Sequence, residues 1–575
     1  MGGPTTSQRD DGDDRESHTS SITITRRISS FSIHACQTVY GHARNHTGVG
    51  LICSVAYFDP GNWGVDLQAG SESGYRLLFV VLLSGIFAVF LQVLASKLGC
   101  VTGLDLATHC RLLFHDRPKH TRLYRWGILY PLYMLAEVAI IATDLAEMLG
   151  SAIALVLLFP RLQLWHGVLI TAADVILLLA MRDPLRGTPV RMFELLIAGL
   201  VLAVLLCVAI IISKVNVNWS DAFLGFVPSK YIFKSSALYT SVGIIGATVM
   251  PHSLFLGSNL ATQDRISYRI THKDDRIEVY TASNTNSPGR YRNGNGLLPS
   301  LVNYVKTSFR NAVRAPDVNN YFTTAKRHSE HENNHLGFVL AHVYHGIADI
   351  VICLLGFAVV INALILILAG AVFYYGSDIA RQTGGPASLF DAYALIGKFV
   401  GKGAATLFAI ALLASGQSSS LIATVAGQAV AEGFIRWSVS PVLRRLLTRL
   451  IAIVPSMTVA IVMGREGVDT LLVASQVVLS MALPFITLPL IYLTSSQKIM
   501  SVRKPRQETA TDLSLQEETL PGSSTTVGRT RDTDQEFGNA VDEWVDFSNS
   551  KITIIVGMSI WLVIVVANVY VLVSL

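Results

Sequence analysis

The sequence is short of charge. Asp, Glu, Lys and Arg make up 15% of its 575 residues, against about a quarter in an ordinary soluble domain. That excludes a conventional cytosolic enzyme. Cysteine is also sparse: Cys36, Cys53, Cys100, Cys110, Cys207 and Cys353 are scattered, with no CxxC pair, so neither a disulfide framework nor a zinc site is indicated. Residues 1–46 are rich in Ser, Thr, Asp and Arg and lack the apolar core and cleavage site of a secretory signal. They are expected to form a disordered cytosolic tail. The net charge of +5 is too small to indicate nucleic-acid binding. A basic excess of this size is what a polytopic membrane protein acquires by keeping Lys and Arg in its cytoplasmic loops.

What the chain has in quantity is apolar residues, 51% of the total. They fall into about eleven stretches near 47–70, 77–98, 126–158, 166–181, 193–213, 237–261, 346–375, 403–427, 450–463, 470–494 and 552–574, most of them long enough to cross a bilayer as helices. The expected fold class is therefore an all-α polytopic membrane protein. Lys and Arg favour the side that holds the N-terminus, which places that end in the cytosol and the sequon Asn218-Trp219-Ser220 on the opposite side. A transport domain over 47–495 would contain a cytosolic loop at 263–336, followed by a polar, disordered loop at 496–551 and an eleventh helix at 552–575. Within the first loop, Leu301–Arg314 has a basic amphipathic pattern that suits either the inner leaflet or a solvated loop. His328, His331 and His335 would share one face if helical, either as a metal-sensing cluster or as three unconnected histidines.

Two spans are interrupted. The first reads Cys53-Ser54-Val55-Ala56-Tyr57-Phe58-Asp59-Pro60-Gly61-Asn62-Trp63, and the sixth reads Gly246-Ala247-Thr248-Val249-Met250-Pro251-His252-Ser253. Proline removes a ladder donor, and unpaired backbone at that depth survives only where protein or a watery cavity encloses it. An acid at a helix centre costs about 2.5–3.5 kcal/mol on insertion scales, so Asp59 answers to a cation or proton, or else caps its own half-helix. Five spans run from the first break and five from the second, near 47–213 and 237–494, the layout of two inverted repeats whose broken helices meet at the midplane. Asp59 and Asn62 offer oxygen, and unwound backbone near Ala56 and Ala247 offers carbonyls. Met250 would add a thioether that favours manganese, iron, cobalt or cadmium over magnesium or calcium. Its other reading is a methionine filling a gap in the core.

Asp59-Pro60-Gly61-Asn62 together with Met250-Pro251-His252 resembles the NRAMP family of divalent metal-ion/proton symporters over about residues 47–495. The resemblance implies a LeuT-like fold, with Asp59, Asn62 and Met250 as metal ligands and carbonyls of Ala56 and Ala247 contributing as conformations change. It also implies Gln476 as a ligand that arrives late. Gly416-Gln417-Ser418-Ser419 and Ser475-Gln476-Val477 are further matches, whereas Ser253 and Ala482 depart from the asparagine and glutamine that many members carry.

Span 3 carries Glu137, Asp144 and Glu147 within about 80° of one helical face, a costly row that marks a proton route or a salt-bridge network. Arg445 and Arg449, one turn apart at the start of span 9, are the expected partners. His252 either passes protons or makes a helix contact, and Asp174 in span 4 is assigned only a structural partner. The expected function is proton-coupled import of divalent metal, manganese or iron, in a plasma, endosomal or vacuolar membrane. Ion, proton and bilayer are then the only partners, and no cofactor is involved. A LeuT-like symporter of a small organic solute and a non-transporting metal sensor are the alternatives.

Overall fold

The computed structural model describes residues 48–172, 191–265, 325–376, 388–437, 441–504 and 543–574. The N-terminal tail, Asp174 and the Leu301–Arg314 pattern lie outside them. Helices α1 (Val49–Val55), α2 (Pro60–Ser73), α3 (Leu78–Thr102), α4 (Leu106–Phe114), α5 (Tyr130–Leu158), α6 (Leu164–Ala172) and α7 (Arg191–Ser213) build the first repeat. The second is α8 (Ser235–Thr248), α9 (Pro251–Leu260), α10 (Leu336–Tyr374), α11 (Leu389–Phe399), α12 (Lys402–Ile435), α13 (Pro441–Val462) and α14 (Gly464–Ser495), with α15 (Lys551–Ser574) outside both. Nine helices among the described residues are long and apolar enough to cross a membrane. The first span is split between α1 and α2, and the fourth is described only as far as Ala172. The protein is an integral membrane protein with the LeuT-like arrangement of two five-helix repeats and an eleventh helix.

Local chemistry explains both breaks. Asp59 is extended and caps α2, accepting from the amides of Gly61 and Asn62, while Pro60 opens the helix where no amide is needed. Met250 is extended in the same way before Pro251 opens α9. With seven residues, α1 is too short to stand alone. The amides of its N-cap Gly48 and of Gly50 donate to Asp349 Oδ2 of α10 at 3.2 and 2.7 Å. The breaks are then pressed into a close-packed frame. A Cβ at Gly150 of α5 would collide with Pro60, and one at Gly246 of α8 would collide with the Gln476 carbonyl of α14, so backbones meet at the distances that only glycine permits.

Several boundaries differ from the sequence reading. Helix α10 starts at Leu336 rather than 346, because the His335 ring accepts the Phe338 amide at 2.9 Å and caps it. His328 lies in a single 3-10 turn, His331 is extended, and the three histidines share no helical face. His328 instead pairs with His109 of α4 at 2.9 Å, and His331 meets the Thr102 carbonyl at 2.7 Å. Helix α13 starts at Pro441, not 450, since its first turns hold buried arginines that depress local hydropathy. Within 496–551, β1 (Ser501–Arg503) pairs antiparallel with β2 (Trp544–Asp546).

Candidate functional site

The two breaks meet. Asn62, one turn into α2, donates through Nδ2 to Asp59 Oδ1 at 2.6 Å and to the Ala247 carbonyl at the end of α8 at 2.9 Å. One side chain thus ties the first break to the second. Asp59, Asn62, Ala247 and Met250 are all at most 1% exposed. Gln476 of α14 comes up from a third side. A Cβ on Gly61 would overlap the Gln476 amide, and Gln476 Oε1 has no partner among the described residues. One helical turn further along, Gly64 sits against Leu472 at the edge of a cleft of about 660 Å³ that is also lined by Asp391, Glu466 and Asp469.

The carbonyl expected at Ala56 stands at the C-terminal end of α1, immediately before the break. Ala56 is still helical and closes α1, and the backbone leaves the helix only at Tyr57–Asp59. The carbonyls released there are taken: Tyr57 O accepts from Asn362 Nδ2 at 2.7 Å, and Phe58 O accepts from Trp63 Nε1 at 3.1 Å and Ser415 Oγ at 2.6 Å. Beneath the site, the Tyr57 hydroxyl meets Ser253 Oγ at 2.6 Å and Gln92 Oε1 at 3.0 Å, and Ser253 donates to the Met250 carbonyl at 2.8 Å. Ser253, which departs from the family pattern, therefore joins the two breaks through one hydroxyl. Among the described residues no group of three or more His, Cys, Asp or Glu could hold a metal. The site brings the Asp59 carboxylate against the Asn62 side-chain amide and the Ala247 carbonyl, with the buried Met250 thioether on the second break. This donor set suits a borderline-soft dication held for a short time.

The acidic row of α5 is real, but its partners are divided. Asp144 Oδ1 is held by Arg445 and, at 3.3 Å, by Arg449, and both guanidinium groups also reach Ser420 Oγ. Glu137 pairs instead with Arg444 at 2.7 Å, a correction to the expected Arg445 and Arg449. Glu147 makes no ion pair among the described residues: Ser419 donates to Oε1 at 2.5 Å, and Oε2 has no hydrogen-bond partner there. His252, in the first turn of α9, places Nδ1 3.4 Å from Thr143 Oγ1, beside Asp144, and its Nε2 is unpartnered among the described residues. The ring stands between the helix breaks and the acids.

The sequence reading passed over Asn362, Tyr57, Gln92, Thr143, Ser415 and Arg444. Gln92 and Asn362 carried a usable signal, because an amide inside an apolar span needs an internal partner. Arg444 was hidden beside Arg445.

Comparison with known proteins agrees with this architecture. The family model described as natural resistance-associated macrophage protein-like matches residues 50–287 and 323–510. The chain is 37% identical over 530 residues to the manganese transporter pdt1 of Schizosaccharomyces pombe, covering 92% of this chain and 84% of that one. It is 36% identical to the iron transporter SMF3 of Saccharomyces cerevisiae, covering 92% and 95%. The crystal structure of a manganese transporter from Eremococcus coleocola superposes with a TM-score of 0.61 at 28% identity, covering 91% of this chain and 84% of that one. Matches of this length run through both helix breaks and place the chain in the NRAMP family.

Proposed function

We propose that the protein moves divalent transition metal, manganese or iron, toward the cytosol in symport with protons by alternating access around the paired breaks. The observation that carries this reading is the Asn62 amide bridging Asp59 and Ala247. It joins a buried carboxylate and a carbonyl from the two broken helices, where a dication would have to shed water. Relatives named as manganese and iron transporters support the cargo. In this reading Asp59 supplies charge and Asn62 an oxygen, Met250 disfavours hard ions, and Gln476 closes over the cargo from α14. Protons leave by way of His252 and the α5 acids. The N-terminus is cytosolic, and the membrane is plasma, endosomal or vacuolar.

Asp59 also argues against a symporter of organic anions. In broken-helix transporters the half-helix N-terminus is the usual seat for a substrate carboxylate, and here the protein's own carboxylate occupies it. The test is manganese flux into proteoliposomes, with and without an acidic exterior. Uptake should be accelerated by the gradient, be competed by iron, and vanish in Asp59→Ala. Flux indifferent to the gradient would remove the proton from the account. A well-folded protein with no flux would favour the sensor.

A further inference from the structure

Asn362 of α10 has no role in the reading so far, yet its neighbours fix which way round both it and Asn62 must lie. The Asn62 NH2 faces Asp59 Oδ1 and the Ala247 carbonyl, and Asp59 Oδ1 also accepts the Asn62 backbone amide at 3.1 Å. Both oxygens act as acceptors, so the oxygen end of the Asn62 amide is turned away from them. It faces the Asn362 NH2 at 3.4 Å, and that NH2 also donates to the Tyr57 carbonyl at 2.7 Å. Asn362 Oδ1 is left without a hydrogen-bond partner among the described residues, on a side chain 1% exposed. A buried amide oxygen kept unpaired beside a polar site is costly. In this arrangement Asn62 presents hydrogen, not oxygen, to the point where Asp59 and Ala247 converge, and an NH2 group cannot ligate a cation.

We propose that Asn62 and Asn362 form a paired amide switch, in which Asn362 is the positioning residue that holds Asn62 in its ligating orientation. Half a turn about the Asn62 Cβ–Cγ bond brings Oδ1 beside the Asp59 and Ala247 oxygens. Three oxygens then converge, an arrangement that a dication stabilises and nothing else in the site does. The displaced NH2 arrives opposite the Asn362 NH2, so Asn362 turns over with it, gives up its bond to the Tyr57 carbonyl and presents its unpaired Oδ1 as the acceptor. The orphan oxygen is thus the acceptor for the turned-over amide. The inference rests on the proposed role of Asn62 as a metal ligand and adds to it the residue that sets the amide's polarity.

The test compares Asn362→Asp with Asn362→Leu in the purified full-length chain by calorimetric titration with manganese alone. Both variants lose the NH2 that serves Tyr57 and Asn62, but only aspartate keeps an acceptor. The switch predicts that Asn362→Leu binds manganese about tenfold more weakly, while Asn362→Asp binds at least as tightly as the native chain. Because aspartate also adds charge, the pair is repeated on an Asn62→Ala background. There the ratio of the Leu to the Asp dissociation constants should shrink by about fivefold, since no amide is left to turn. Equal weakening by Asp and Leu would overturn the switch and leave Asn362 as an anchor for the Tyr57 carbonyl. A ratio unchanged by Asn62→Ala would overturn it in favour of bare charge. Asn362→Ala, which also lacks an acceptor, replaces the leucine variant if that one does not fold. A folded native chain that binds no manganese would overturn the metal reading itself, and the switch with it, a result distinct from either of the others.

Discussion

Asp144 and Glu147 lie one turn apart on α5, and the structure assigns them opposite work. Asp144 Oδ1 faces two guanidinium groups, Arg445 and Arg449, that are 2% and 1% exposed. Asp144→Asn removes the carboxylate charge that both guanidinium groups contact. Removing one partner of a buried pair costs about 3–5 kcal/mol, a large share of the stability of a folded protein. Glu147 has no ion pair to lose among the described residues. Glu147→Gln keeps an oxygen for the Ser419 hydroxyl and places an amide where Oε2 has no partner among the described residues. Thermal unfolding in detergent, followed by tryptophan fluorescence, should show Asp144→Asn melting at least about 5 °C below the native protein. Glu147→Gln should stay close to native. In proteoliposomes Glu147→Gln should still pass manganese but lose the acceleration given by an acidic exterior. Equal destabilisation by the two substitutions, or an unaltered gradient response in Glu147→Gln, would refute this division of labour.

Met250→Ala should retain manganese uptake but admit calcium, measured as calcium competition against manganese flux; unchanged discrimination would remove the thioether from the selectivity argument. The contact between His109 and His328 should be sensitive to acid. Burial, reinforced by His331, pushes the His328 pKa down to about 4, and burial holds His109 below the ordinary value as well. The folded state therefore prefers both rings neutral. The stability this contributes is present above the unfolded value of about 6.5 and is lost as pH falls toward 4. Protection of the 325–335 amides, taken relative to their intrinsic exchange at each pH, should fall over that window, and protection there that does not change with pH would contradict the assignment.

Both breaks were legible because proline beside polar groups inside an apolar run, with an acid as well in the first, has few structural explanations, and the structure puts each break where the run is interrupted. Nothing in the spacing could reveal which carbonyls the breaks would leave open. Tyr57 and Phe58 are claimed by Asn362, Trp63 and Ser415 from distant parts of the chain, so the unwound backbone is less available to an ion than its sequence suggests. Helical periodicity aligned the three α5 acids but carried no information on partners across the interface, and Glu137 fell to Arg444 rather than its neighbour. The start of α13 was misplaced for the same reason: three arginines look like a loop until the acids that bury them are known. The histidine spacing was a pattern without a helix, because His335 is used as a cap.

The central claim is that a dication sits between the two breaks, held by oxygen and by the Met250 sulfur. X-ray absorption fine structure on the cadmium-loaded protein tests it directly. The account predicts a first shell dominated by oxygen with a single sulfur scatterer that disappears in Met250→Ala while the oxygen shell persists. A shell of oxygen and nitrogen alone in the native protein, or a sulfur signal that survives the substitution, would contradict it.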